Sequence, residues 1–211
     1  ITYHECGDKE HGEDRISALF AVNAGKKIGL GFNLDYLYGR GYYQSQNTAH
    51  FRADIYGSYI GERYKSHLSY RLQYMKTTEN GGLEDDRYIT EPEAFANNYE
   101  TWEMPTNLSK TWNKINVNSL FFTQRFNVGK VNVVNDSTST DSLKPETLSP
   151  TTGIPPLTVS HSIQIDHDDR LFLSNITTNN LSPLYFRDYY FAGDSASDKT
   201  KHFAIRNTVA I

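Results

Sequence analysis

The chain has 211 residues, a net charge of −4, 15 tyrosines, 11 phenylalanines and one cysteine, with a mean hydropathy of −0.62. The acidic balance argues against a general nucleic-acid binder, and the lone Cys6 excludes an internal disulfide. No apolar run approaches the ~20 residues of a membrane-spanning helix; this excludes helical membrane proteins but not β-barrels, in which alternation hides the apolar half from any window average.

Residues 1–15 are polar, with neither a charged leader nor an apolar leader segment, and read as a loop within a mature or internal piece of a longer protein. From Ile16 to Asn23 the residues Ile16, Ala18, Phe20 and Val22 share one face of a predicted strand. A three-residue turn, Gly25-Lys26-Lys27, then places Phe20 opposite Phe32 and Val22 opposite Leu30. The next strand, Ile28 to Tyr38, alternates strictly. Ile28, Leu30, Phe32, Leu34, Tyr36 and Tyr38 lie on one face, Gly29, Gly31, Asn33 and Asp35 on the other, with Leu37 the one exception.

After a longer connection at 39–47 the pattern returns in Ala49, Phe51, Ala53, Ile55, Gly57 and Tyr59, and again in Tyr64, Ser66, Leu68, Tyr70, Leu72 and Tyr74. Read as a two-residue type II′ turn, Gly61-Glu62 pairs Tyr59 with Tyr64 and Ile55 with Leu68. That register sets Arg52 opposite Arg71, with Asp54 diagonal to Arg71. A long loop is expected at 76–114. Three weaker strands follow, each broken once on its apolar face: Asn118–Val128 by Gln124, Leu157–Ile165 by His161, and His202–Ile211 by Asn207. Between them lie a Ser-, Thr- and Pro-rich insert at 129–156, expected to be flexible, and a second long loop at 174–201.

Short turns alternate with long loops, as in outer-membrane barrels, whose longer loops face outward. The reading is therefore all-β: an antiparallel transmembrane β-barrel, with about seven up-and-down strands of a larger barrel in a single partial domain over 1–211. An odd strand number with two bare edges points the same way, because single-chain bacterial barrels carry even numbers of strands. Stripes of this kind fit a soluble sandwich or ligand-binding barrel equally well. The length of the strands, tyrosines near their ends (Tyr36, Tyr38, Tyr59, Tyr64, Tyr74) and a polar face that mixes charge with small residues favour lipid outside.

Several stretches resemble a porin family of Bacteroidetes. They are Gly12-Glu-Asp-Arg-Ile-Ser-Ala-Leu-Phe20, Gly31-Phe-Asn-Leu-Asp-Tyr36, Gly39-Arg-Gly-Tyr-Tyr-Gln-Ser-Gln-Asn47, Glu79-Asn-Gly-Gly82, Asp85-Asp-Arg-Tyr-Ile-Thr90, Pro105-Thr-Asn-Leu108 and Gln124-Arg-Phe-Asn-Val-Gly129. The likeness is dense over residues 12–129. It implies an outer-membrane β-barrel, made as a longer chain with a signal peptide, in the Gram-negative outer membrane. It brings no catalytic residues and no cofactor.

Candidate site residues follow from the faces. His50, Arg52, Asp54, Lys65, His67, Arg71 and Arg125 are expected to line a water-filled lumen and filter small polar solutes by charge and width. Leu30, Phe32, Leu34, Phe51, Ile55, Leu68 and Leu72 are expected to face outer-membrane lipid. The expected function is passive diffusion, without enzyme activity; a receptor, adhesin or assembly role for the barrel is the alternative. Asp166-His-Asp-Asp169 reads as a loop entrance rather than an acid–base pair or metal set. Glu84-Asp85-Asp86 reads as a solvated acidic turn, and Trp102 and Trp112 as loop packing.

Overall fold

The computed structural model describes residues 1–129, 157–175 and 195–211. They form one open antiparallel sheet whose spatial order is the chain order. Its strands are β1 Thr2–Cys6, β2 Glu13–Ala24, β3 Ile28–Gly39, β4 Thr48–Ile60, β5 Tyr64–Thr78, β6 Thr111–Val128, β7 Leu157–Asn175 and β8 Ser195–Ala210. Every strand is hydrogen-bonded to its sequence neighbour, the pattern of an up-and-down barrel wall.

Two outcomes differ from the sequence expectation. There are eight strands, because Thr2–Cys6 pairs with Glu13–Ser17 inside the stretch expected to be loop. That strand carries no apolar alternation, so only its backbone ladder reveals it. The later strands also run further than expected: β6 begins at Thr111, β7 ends at Asn175 and β8 begins at Ser195. Apart from Gly129, the expected insert lies outside the described residues, as does the centre of the 174–201 connection.

The β2–β3 register is the expected one, with Phe20 opposite Phe32 and Val22 opposite Leu30. Gly25 takes φ 78, a left-handed conformation that glycine adopts without steric cost. The β4–β5 register is not the expected one. The connection has three residues, 61–63, and Gly61 N–H donates to the Tyr64 carbonyl (2.8 Å), so Ile60 pairs with Lys65 and Ile55 with Tyr70. Gly61 is not among the residues with positive φ, as a type II′ turn would require. The shift is two residues, an even number, so both faces keep their identity while every cross-strand partner changes.

The sheet has no covered apolar side. Ile55, Leu68, Phe20 and Phe203 are exposed, and the buried hydrophobic residues among those described, Met104 and Leu108, both lie in the 79–110 connection. That connection is folded rather than extended. It carries a short helix α1 at Arg87–Thr90, two 3₁₀ turns at Pro92–Ala94 and Thr101–Glu103, and a bridge between Leu83 and Thr106. Its aromatic cluster stacks Tyr88 on Phe95 at 4.3 Å, with Tyr99 edge-on to Tyr88 at 5.2 Å. Three connections meet at this end of the sheet. His11 Nε2 is hydrogen-bonded to Thr101 Oγ1 (3.1 Å), its ring lies 4.8 Å from Tyr42, and Gln44 Nε2 donates to the Glu103 carbonyl (3.1 Å).

Candidate functional site: the polar face of the sheet

Strand alternation puts His50, Arg52, Asp54, Lys65, His67, Arg71 and Arg125 on one face and Leu30, Phe32, Leu34, Phe51, Ile55, Leu68 and Leu72 on the other. The polar face holds a trough of about 620 Å³, at which Arg52, Asp54, His67 and Arg71 come together with Asn33 and Gln164. His50 sits nearer the long connections, opposite Met75, and its Nε2 is buried without a hydrogen-bond partner among the described residues. Lys65 and Arg125 face each other at the short-turn end, outside the trough, and the Arg125 guanidinium contacts Thr158 Oγ1 at 3.5 Å.

The trough's centre is Asp54. Its Oδ2 accepts from Arg52 Nε (2.7 Å) and its Oδ1 from Arg71 Nε (2.6 Å). The arrangement corrects the expected one: Arg71 stands directly opposite Asp54, and Arg52 stands opposite Gln73, not Arg71. The two-residue register change replaces a like-charge pair with a carboxylate shared by two guanidiniums. Asp54 is only 13% exposed, whereas Arg52 and Arg71 are 37% and 51% exposed, so the carboxylate lies at the floor and the cations at the rim.

Two further clusters were not legible in the sequence. Arg15 makes a two-pronged contact with Asp35, Nε to Oδ1 at 2.9 Å and Nη2 to Oδ2 at 2.7 Å. Asp166 accepts from Ser119 Oγ (2.6 Å), Gln164 Nε2 (2.9 Å) and Arg206 Nη1 (2.9 Å). Asn33, Asp54, Arg71, Ser119 and Asp166 occupy one continuous register row across five strands. The Asp166–Asp169 stretch is therefore mid-strand, not a loop entrance, and alternation sends Asp166 and His167 to opposite faces.

Glycine shapes the trough as well. A Cβ on Gly31 would lie 2.4 Å from the Tyr56 ring, directly across the β3–β4 ladder, so the missing side chain lets that ring lie against β3. Tyr56 in turn sits 6.4 Å from the His67 ring. In the connections, Asp85 accepts from Arg87 Nε (2.9 Å) and Nη2 (2.5 Å), and this neighbour holds its carboxyl below the usual carboxylate range. Asp8 is likewise lowered, first by the His11 backbone N–H and then by the His11 ring. Trp112 lies in β6 rather than in a loop, with Lys76 and Lys114 over its ring at 4.9 and 5.5 Å.

Antiparallel strands joined in sequence order, a charged trough on one face and a bare apolar surface on the other define the wall of a transmembrane β-barrel. The chain belongs to the family described as "Putative porin", whose model matches residues 1–211, the whole chain. No curated protein and no solved structure gives a match.

Proposed function

We propose that the protein is a porin-like passive channel of the Gram-negative outer membrane, with the polar face as its water-filled lumen wall and the apolar face in contact with lipid. Small polar solutes would cross by diffusion, filtered by width and by the charges of the trough, with no enzymatic step and no cofactor. One observation carries the reading: the sheet's ionic network lies in a recess, while its large apolar side chains stand uncovered on the opposite face. Water in the lumen satisfies the partly exposed guanidinium donors, and hydrocarbon accommodates the apolar side without cost. On this reading the connections at 40–47 and 79–110 face outward and the turns at 25–27 and 61–63 face the periplasm.

The test is conductance of the protein reconstituted in planar bilayers. Arg52, Asp54 and Arg71 together carry one net positive charge, so replacing both arginines with glutamate should move the reversal potential in a salt gradient towards cation preference. The shift should be larger at low salt than at high salt. Conductance with unchanged selectivity would remove these residues from the permeation path. A protein that never conducts would leave the receptor or assembly role.

A further inference from the structure

The cations of the trough are only half used. Arg52 and Arg71 each reach Asp54 through Nε, so both are anchored side by side on the two oxygens of one carboxylate. Their Nη1 and Nη2 groups have no hydrogen-bond partner among the described residues. Nor does either arginine have a second carboxylate among those residues. Asp35 stands directly opposite Arg52, but Arg15 takes both of its oxygens. Asp166 lies two strands from Arg71 in the same row, and Ser119, Gln164 and Arg206 occupy it. Arg52, Asp54 and Arg71 therefore keep one net positive charge, carried on unpaired N–H groups in a recess of about 620 Å³.

One row nearer the short turns the trough changes character. Ser69 on β5 is flanked by Tyr56 on β4 and Phe121 on β6, each directly opposite it. Two ladder spacings set the Cα atoms of the aromatic residues about 10 Å apart, with only a hydroxymethyl group between them. The Tyr56 ring leans away from Ser69, over Gly31, where a Cβ would collide with it. The gap above Ser69 is thereby open, and Tyr56, Ser69 and Phe121 line the same recess as Arg52 and Arg71. These residues belong to β4, β5 and β6, with at least two further strands on either side, so the site does not depend on an edge of the sheet.

We infer that this trough binds small organic carboxylates that carry a flat ring. The acid would sit on the free Nη groups of Arg52 and Arg71, and the ring above Ser69, between Tyr56 and Phe121. A carboxylate matches the paired N–H groups of a guanidinium in geometry and cancels the single positive charge. Inorganic phosphate carries more than one negative charge at neutral pH, and the excess would face Asp54 and Asp166 uncompensated. Arg71 and Ser69 are two residues apart on β5, about 7 Å, so a short linker between acid and ring spans both rows. The ring displaces water from Tyr56 and Phe121, contacts that an acid without a ring does not make. The recess also falls within the roughly 300–1,000 Å³ of small-molecule sites. The inference deepens the channel proposal and rests on its reading of the polar face as a water-filled lumen wall.

Two measurements on the reconstituted protein separate the two ideas: titration calorimetry in vesicles, against protein-free vesicles, and conductance in planar bilayers. Sodium 3-phenylpropionate should bind more tightly than propionate (no ring), 3-phenylpropanol (no charge) or inorganic phosphate. In the conducting protein it should also reduce the current, and propionate much less. Arg71→Gln should weaken 3-phenylpropionate binding about tenfold, the effect of losing one charge-assisted hydrogen bond. Phe121→Ala should shrink its advantage over propionate about fivefold. Conductance without this order of binding overturns the inference and leaves the channel reading standing. Binding in this order without conductance upholds the site and overturns the channel. Absence of both overturns both. Phosphate or 3-phenylpropanol binding as tightly as 3-phenylpropionate overturns the assignment of a ring-bearing acid. The comparison among solutes uses the unaltered chain, so it stands even if a variant does not fold.

Discussion

The sheet and the 79–110 connection treat apolar side chains in opposite ways. In the connection, Met104 and Leu108 are buried and Tyr88, Phe95 and Tyr99 cluster, as in a small water-soluble core. In the sheet, leucines, isoleucines and phenylalanines stand bare on one side while carboxylates sink into the other. On the proposed channel reading one chain is built for two solvents, and the boundary between them falls where the strands leave the apolar band. The lesson is that exposure has no fixed meaning here: an exposed leucine belongs in the wall and would be a defect in the cap.

The contrast can be broken most severely inside the cap. Leu108→Ala should cost the 79–110 connection roughly 2–5 kcal/mol of local stability. Limited proteolysis should then cut that connection while the strands stay protected; loss of the whole barrel would show that the two parts do not fold independently. In the wall the signs reverse. If the apolar face meets lipid as proposed, Leu68→Arg should cost about 2–4 kcal/mol near the bilayer midplane, and Ser69→Arg, on the polar face, much less. Urea unfolding in lipid vesicles measures both, and equal penalties would contradict the two-faced sheet. At the trough, Asp54→Ala leaves two guanidiniums without their shared carboxylate. Because both are more than a third exposed, water compensates, and the stability loss should be about 1 kcal/mol or less. A loss as large as that of Leu68→Arg would mean the trough is dry.

The smallest effect concerns acid. Asp8 and Asp85 have their carboxyls lowered, by His11 and by Arg87 respectively. Each interaction therefore contributes above the usual carboxylate range and is lost only as pH falls through the depressed folded value. Hydrogen exchange at residues 8–12 and 85–87 should be unchanged between neutral pH and pH about 5, after correction for intrinsic rates, and should rise only below about pH 4. Loosening already at pH 6 would assign the acid sensitivity to another group.

How far the sequence reveals this structure depends on which solvents a strand touches. β2 to β5 were legible because one face carries mostly apolar side chains and the other mostly polar or small ones, and a period of two follows directly. β1 was invisible because Thr2–Cys6 is wet on both faces. The upper part of β6 was hidden for another reason: Lys114, Asn116 and Asn118 occupy the face that is apolar lower down, while Ile115 and Val117 share the opposite face with Asn113, so the stripe changes sides. The trough's membership was legible from parity alone, but its partners were not. Reading the Gly61–Arg63 connection as two residues slid β5 by two, which conserves faces and exchanges neighbours. The Asp166 cluster escaped because β7 was taken to end at Ile165, ten residues short of Asn175 and just before Asp166.

The meeting of His11, Tyr42 and Thr101 above the sheet also bears on the order of assembly. Every ladder joins strands adjacent in the chain, so the wall can be laid down one hairpin at a time, with little loop entropy lost at each step. The His11–Thr101 bond, by contrast, spans 90 residues. It can form only once β2 to β5 have brought the two connections to the same rim. That contact is a late event, and its appearance in a refolding experiment would time the completion of the first five strands.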